Sequence, residues 1–77
     1  MPNNKDIKKI ILSISKILNE PATKINLRSR AEDFKNWDSL AHIKIIIAVE
    51  KITKKKIPSS KIGDLNSIKA IFNFLIN

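Results

Sequence analysis

Apolar side chains recur along the opening stretch of the chain at Ile7, Ile10, Ile11, Ile14, Ile17 and Leu18, with Lys5, Lys8, Lys9, Ser15, Lys16 and Asn19 set between them. That spacing puts the isoleucines on one side of a 3.6-residue period and the lysines on the other, and it predicts an amphipathic helix over residues 4 to 19. Leu12 falls off the stripe and is expected to be partly exposed. A helix lying on a membrane surface shows a similar pattern, but an isoleucine stripe of this width favours a protein core. Pro21 lacks the N–H that a helix needs and pushes Glu20 out of helical geometry, so the helix is expected to stop there.

From Ala22 to Trp37 neither a helical nor an alternating period persists. A connection of this length is unusual in a compact domain unless it is functional or pinned by its own side chains. Ile25, Leu27, Phe34 and Trp37 are the candidate anchors. A second helix is predicted from Ser39 to Lys54, with Ile43, Ile46 and Val49 toward the core. Leu40, Lys44, Ile47 and Lys51 fall at i, i+4, i+7 and i+11 and form a separate stripe, so this helix is apolar over more of its circumference than one buried face requires. Left uncovered by the loop, Leu40 and Ile47 make a partner-docking patch. Lys54, Lys55 and Lys56 close the helix as a solvated, dipole-complementing end. After Ile57-Pro58, Ser59 is expected to cap a short helix reaching Ile62, and Gly63 to stop it in a left-handed conformation. Asn66 is expected to cap a last helix whose Ile68, Ile71, Phe72 and Leu75 share one buried face. The fold class is therefore all-α: three main helices and one short one, with a long loop between the first two.

Composition narrows the chemistry. Seventy-seven residues suit one domain, residues 1 to 77, which buries only about 60% of its unfolded surface. There is no cysteine, and His42 is the only histidine, so disulfides, thiolate metal sites and a cysteine nucleophile are excluded and no metal site is expected. His42 reads as a surface or core-edge residue rather than a base. The polar opening Met1-Pro2-Asn3-Asn4-Lys5-Asp6 is unlike a secretory leader, and the uninterrupted apolar run from Ile45 to Val49 is too short to span a bilayer. A soluble cytoplasmic protein is expected.

The net charge of +8 turns attention to nucleic acid, yet its distribution argues otherwise. Between residues 31 and 50, four acids (Glu32, Asp33, Asp38, Glu50) outnumber two bases (Lys35, Lys44). The remaining lysines are spread over at least three segments, and no short turn joins two helices as a helix-turn-helix requires. A small basic helical nucleic-acid-binding domain is therefore the weaker of two functional readings.

Trp37-Asp38-Ser39-Leu40 opens the second helix and carries the stronger one. Asp38 suits the cap, accepting orphan N–H groups at the positive end of the dipole. Ser39 then stands in the first turn with its hydroxyl toward water, where a phosphodiester is electrostatically favoured. Taken alone, Asp-Ser before an apolar run is ordinary capping chemistry.

With the long loop before it and Ile57-Pro58 after it, the run from Trp37 to Glu50 resembles the acyl carrier protein family, and the likeness spans nearly the whole chain. It is closest to free-standing carriers whose serine motif is preceded by tryptophan. The resemblance implies an acyl-carrier-like four-helix bundle that is not an enzyme. Ser39 would carry 4′-phosphopantetheine, placed there from coenzyme A by a separate phosphopantetheinyl transferase. An acyl or aminoacyl group would ride on that arm as a thioester, loaded by a ligase and passed to acyltransferase-type enzymes. Asp38 and Leu40 are the motif flanks, and Leu40, Lys44, Ile47 and Lys51 the docking positions of an expected monomer. Two departures stand out. Ala41, Lys44 and Lys51 replace positions that are often acidic, which points to partners of different charge and a dedicated pathway. Thr53 stands where a large apolar side chain is usual. A degenerate carrier unable to accept the arm is a third reading.

Overall fold

The computed structural model describes residues 4–76; Met1, Pro2 and Asn3 of the polar opening lie outside the described residues. Four helices follow one another: α1 (Asn4–Leu18), α2 (Ser39–Thr53), α3 (Ser59–Ile62) and α4 (Ile68–Ile76). Two 3-10 turns, Ala22–Lys24 and Ala31–Asp33, shape the long loop between α1 and α2. No strand forms among the described residues; Arg30 and Ser67 make a lone antiparallel bridge.

The isoleucine stripe of α1 faces the core. Ile10, Ile14 and Leu18 are buried, Ile11 and Ile17 pack half-buried beside them, and Leu12 is exposed. Because α1 packs against α2, the stripe belongs to the core and not to a membrane surface. The helix ends at Leu18, three residues before Pro21. Asn19 takes a left-handed φ of 55°, the Asn19 N–H donates to the Lys16 carbonyl at 3.3 Å, and the Glu20 N–H donates to the Ser15 carbonyl at 3.0 Å. Those paired bonds satisfy carbonyls that the last turn leaves open.

On α2 the buried positions are Ala41, Ile45, Ile46 and Val49. Ile43, expected in the core, is 44% exposed. The reason is angular: the buried face is centred on Ile45 and Val49, and Ile43, two residues before Ile45, lies roughly 200° round the axis. It joins Leu40 and Ile47 on the outer face. Ala41, which stands at a position that is often acidic in the carriers the chain resembles, is buried. Thr53 is half-buried, and its hydroxyl donates to the Val49 carbonyl at 2.8 Å, so the polar side chain is satisfied along its own helix.

The loop is pinned by three of its four expected anchors. Ile25, Phe34 and Trp37 are buried, whereas Leu27 is 57% exposed. A local turn explains the difference: Asn26 Oδ1 accepts the Arg28 N–H at 2.8 Å, and the Ser29 hydroxyl oxygen accepts the Asn26 N–H at 3.0 Å. That turn buries Ser29 and swings Leu27 outward. The buried Ser29 hydroxyl donates to the Lys24 carbonyl at 3.0 Å, so no polar group is stranded.

The loop then ties to the start of α4. The Ala31 N–H donates to the Asn66 carbonyl at 2.8 Å, and the Ile68 N–H donates to the Ser29 carbonyl at 3.0 Å. Ser67, not Asn66, caps α4: its hydroxyl oxygen accepts the Ala70 N–H at 3.0 Å. Ile68, Ile71 and Leu75 of α4 are buried, with Phe72 half-buried. At α3, Pro58 occupies the cap position and Ser59 is already the first helical residue, with no side-chain cap bond. Gly63 has φ −65° and ψ −24°, ordinary right-handed geometry. The left-handed stop after α2 falls on Lys54 instead, at φ 58°.

Lys55 departs from the solvated helix end expected for the lysine cluster. It is half-buried, with its ammonium donating to the Phe74 carbonyl at 3.2 Å and standing 5.0 Å from that ring's centre. This places the C-terminal ends of α2 and α4 side by side. Asn36 does the same at the opposite end, its Nδ2 donating to the Leu18 carbonyl at 2.9 Å, so the start of α2 lies next to the end of α1. None of the described helices is long and apolar enough to cross a membrane.

Candidate functional site around Ser39

The site grows out of the first turn of α2. Asp38 has extended backbone at the cap, and its Oδ1 accepts the Ala41 N–H at 2.8 Å. Its own carbonyl accepts the His42 N–H at 2.9 Å, opening the helical ladder. Ser39, the first helical residue, is exposed, as the sequence anticipates. Asp38→Ala is expected to cost about 0.5–2 kcal/mol of stability by orphaning that amide; a denaturant titration with an unmoved midpoint would contradict the cap.

Beside Ser39, a chain of side chains joins the loop to α2 and α3. The Trp37 indole Nε1–H donates to His42 Nδ1 at 2.9 Å. Because an indole nitrogen only donates, Nδ1 is the acceptor, and the ring proton sits on Nε2. From there it is donated to the Ile62 carbonyl at 2.7 Å. The two rings also stack, with centroids 6.0 Å apart and planes 30° from parallel, and the Phe34 ring packs tilted against Trp37 with centroids 6.3 Å apart. Both nitrogens of His42 are thus engaged, and neither is left to take a proton from Ser39. The pairing of hydroxyl and imidazole that defines a serine nucleophile is not built here.

These residues border an open hollow of about 510 Å³. Trp37, Ile43 and Ala31 give it apolar wall, Asp38, Ser39 and His42 line it at the head of α2, and Gly63 and Asn66 complete the lining. A second hollow of about 390 Å³ adjoins it, sharing Ala31 and Asn66 and bounded further by Arg30, Glu32 and Ser67. Arg30 Nη1 donates to Glu32 Oε1 at 2.9 Å. That hydrogen bond, and after it the charges of Glu32 and Asp33, hold the guanidinium above its ordinary pKa. On so exposed a pair the effect on stability is small.

The outer face of α2 presents Leu40 at 65%, Ile47 at 46% and Ile43 at 44% exposure, flanked by exposed Lys44 and Lys51. The loop covers none of this stripe. Among the described residues, no three His, Cys, Asp or Glu side chains group as metal ligands.

The structure therefore brings Asp38, Ser39 and Leu40 together at the head of α2 and sets Lys44, Ile47 and Lys51 along the face below. Sequence reasoning misses the Trp37–His42–Ile62 chain and the part of the hollow's lining that Gly63 and Asn66 supply. The period of α2 gives no hint that His42 reaches a carbonyl twenty residues on, and only the isolated glycine marks Gly63 as unusual. No protein-family model matches the chain, and no curated protein matches it at a significant level.

Proposed function

We propose that the protein is an acyl carrier protein, a bundle of the acyl-carrier type that bears 4′-phosphopantetheine on Ser39 and presents an acyl or aminoacyl thioester to other enzymes. The observation that carries this reading is an exposed serine at the first turn of a capped, 15-residue helix, bordering an open, partly apolar hollow. The residues fit the group. A phosphate on the Ser39 oxygen sits where first-turn amides and the helix dipole favour negative charge, and the hollow beside it is open to solvent and lined in part by the apolar Trp37 and Ile43.

In the loading step, the Ser39 oxygen attacks phosphorus in the coenzyme A pyrophosphate. A phosphodiester bond forms, adenosine bisphosphate leaves, and the serine proton passes to a base on the phosphopantetheinyl transferase. The thiol of the bound group supplies thioester chemistry. Asp38 keeps the helix head rigid, Leu40 marks the motif for the transferase, and His42 stays locked by Trp37 and Ile62. The protein itself is then no enzyme; its partners are the transferase, loading ligases and acyltransferase-type enzymes. On this reading it acts as a monomer in the cytoplasm, where coenzyme A supplies the arm.

Leu40, Lys44, Ile47 and Lys51 form the docking face of such a carrier, and Ile43 extends it. Ile47→Asp is expected to leave stability within about 0.5 kcal/mol, as for other exposed positions, and to slow transfer by a partner enzyme. Equal losses in melting and transfer would make Ile47 a core residue instead. No observation favours the nucleic-acid alternative: all four aromatic side chains, Phe34, Trp37, Phe72 and Phe74, are buried or half-buried, which leaves no stacking platform among the exposed lysines. Incubation with a fluorescent coenzyme A conjugate and a broad-specificity transferase tests the function. One fluorophore per folded chain is expected, and none would contradict the proposal.

A further inference from the structure

Lysines that stand far apart in the sequence meet in the fold. α1 and α2 are each 15 residues long and pack against each other, and the bond from Asn36 to the Leu18 carbonyl sets the start of α2 beside the end of α1. The two helices therefore run antiparallel. The start of α1, with Lys5, Lys8 and Lys9, falls beside the end of α2, with Lys51, Lys54 and Lys56. The contact between Lys55 and Phe74 brings the C-terminal end of α4 to the same place. This end of the bundle lies one helix length, about 20 Å, from Ser39.

Charge is concentrated there. Residues 5–9 and 50–56 hold seven of the chain's 15 bases but only two of its seven acids, Asp6 and Glu50. Glu50 is half-buried, and its Oε2 accepts the Ile57 N–H at 2.8 Å. Lys5, Lys8, Lys9, Lys51, Lys54 and Lys56 are all exposed. Among the described residues the ion pairs are Lys24–Glu20 and Arg30–Glu32, both elsewhere. The crowding works against the fold: Lys5 stands in the first turn of α1, at the positive end of its dipole, and repels Lys9 one turn on. Local rules are broken in this way where a surface acts on something outside the chain.

The chemistry of the cluster selects the partner. Its cations are all lysine, since Arg28 and Arg30, the two arginines, lie in the loop. No aromatic ring is exposed among them, and Ile76, at the end of α4, is 51% exposed. Flexible ammonium groups without guanidinium forks or stacking rings suit a fluid sheet of anionic headgroups better than the fixed phosphates and bases of a nucleic acid.

We propose that this lysine-rich end of the bundle binds the anionic surface of a phospholipid bilayer, with Ser39 turned away from the lipid. The lysines supply the attraction, about fivefold in affinity for each one that reaches the surface, and Ile76 enters the headgroup layer. Binding needs nothing of Ser39, so unmodified protein and Ser39→Ala bind alike whatever that serine carries.

Co-sedimentation of the unmodified protein with vesicles of phosphatidylcholine and phosphatidylserine, and with vesicles of phosphatidylcholine alone, tests the surface. Partition onto the mixed vesicles only is expected, falling as salt is raised. Lys8→Gln/Lys9→Gln and Lys54→Gln/Lys56→Gln are each expected to lower the partition coefficient about 25-fold with melting unchanged. Lys24→Gln/Lys35→Gln removes the same charge from the loop, farther than a Debye length from the cluster, and is expected to change partition less than about twofold. An equal loss from the loop pair would show net charge alone at work and overturn the proposal, as would a loss confined to one of the two helix-end pairs. No partition onto the mixed vesicles would also overturn it, and duplex DNA binding weakened by the same helix-end substitutions would then make the cluster a nucleic-acid surface.

Discussion

Ile45→Ala is expected to destabilise the protein by about 2–5 kcal/mol, while Ile43→Ala, two residues earlier on the same helix, is expected to cost less than about 1 kcal/mol. Ile45 is fully buried between α2 and the rest of the core, and Ile43 is 44% exposed on the outer face. Truncating the first loses the transfer free energy of its outer carbons and leaves a cavity that the neighbouring isoleucines fill incompletely; truncating the second mostly trims a surface. A domain of this size has roughly 4–12 kcal/mol of stability in all, so the first substitution removes a large share of it. In melting temperature the Ile45 change corresponds to a drop of at least about 8 °C. Urea titrations of the two variants side by side measure the difference. Equal costs would mean that α2 is rotated about its axis, with Ile43 and Ile45 equally close to the core.

The second large effect is on loading. Ser39→Ala is expected to abolish acceptance of the phosphopantetheine group while leaving the helical circular-dichroism spectrum unchanged and the stability within about 0.5 kcal/mol. Ser39 is exposed, and the helix is capped by Asp38 rather than by the serine, so removing one oxygen disturbs neither packing nor cap. A variant that still loads would move the attachment to another residue, and one that melts early would show that the hydroxyl supports the fold.

Much of this fold is legible in the residue pattern because two of its helices obey a single period. In α1 and α4 one apolar stripe faces one core, and the predicted stripes are the buried or half-buried ones. On α2 the period is ambiguous, since Ile43, Ile45, Ile46 and Ile47 stand almost consecutively and any of several faces satisfies the count. What decides the matter is Ala41, whose small side chain carries little weight in a hydrophobic pattern but is buried on the same face as Ile45 and Val49. Helix ends are hard to read for a related reason. Ser59 and Asn66 are good capping types, but capping depends on where the chain first turns helical, and that is set by Pro58 in one case and by the Ser29–Ile68 and Ala31–Asn66 bonds in the other. Residue type alone points to Gly63 for a left-handed stop; the positive φ values fall on Asn19 and Lys54.

The candidate site divides the same way. The head of α2, Asp38-Ser39-Leu40, lies in consecutive residues and is readable as a motif. The hollow is assembled from Ala31, Gly63 and Asn66, brought to Ser39 by the loop bonds and by the His42–Ile62 contact, and no local pattern encodes that meeting. The docking stripe is intermediate: its members are spaced at helical intervals, but only the loop's actual path shows that it stays uncovered, and only the true rotation of α2 adds Ile43 to it.

Intact-mass measurement of the purified protein after incubation with unlabelled coenzyme A and a phosphopantetheinyl transferase, followed by fragmentation, tests the carrier assignment most directly. One added phosphopantetheine group per chain is expected, located on the fragment that contains Ser39 and absent from Ser39→Ala. A folded protein whose mass does not change, or a group found on any other residue, would contradict the assignment.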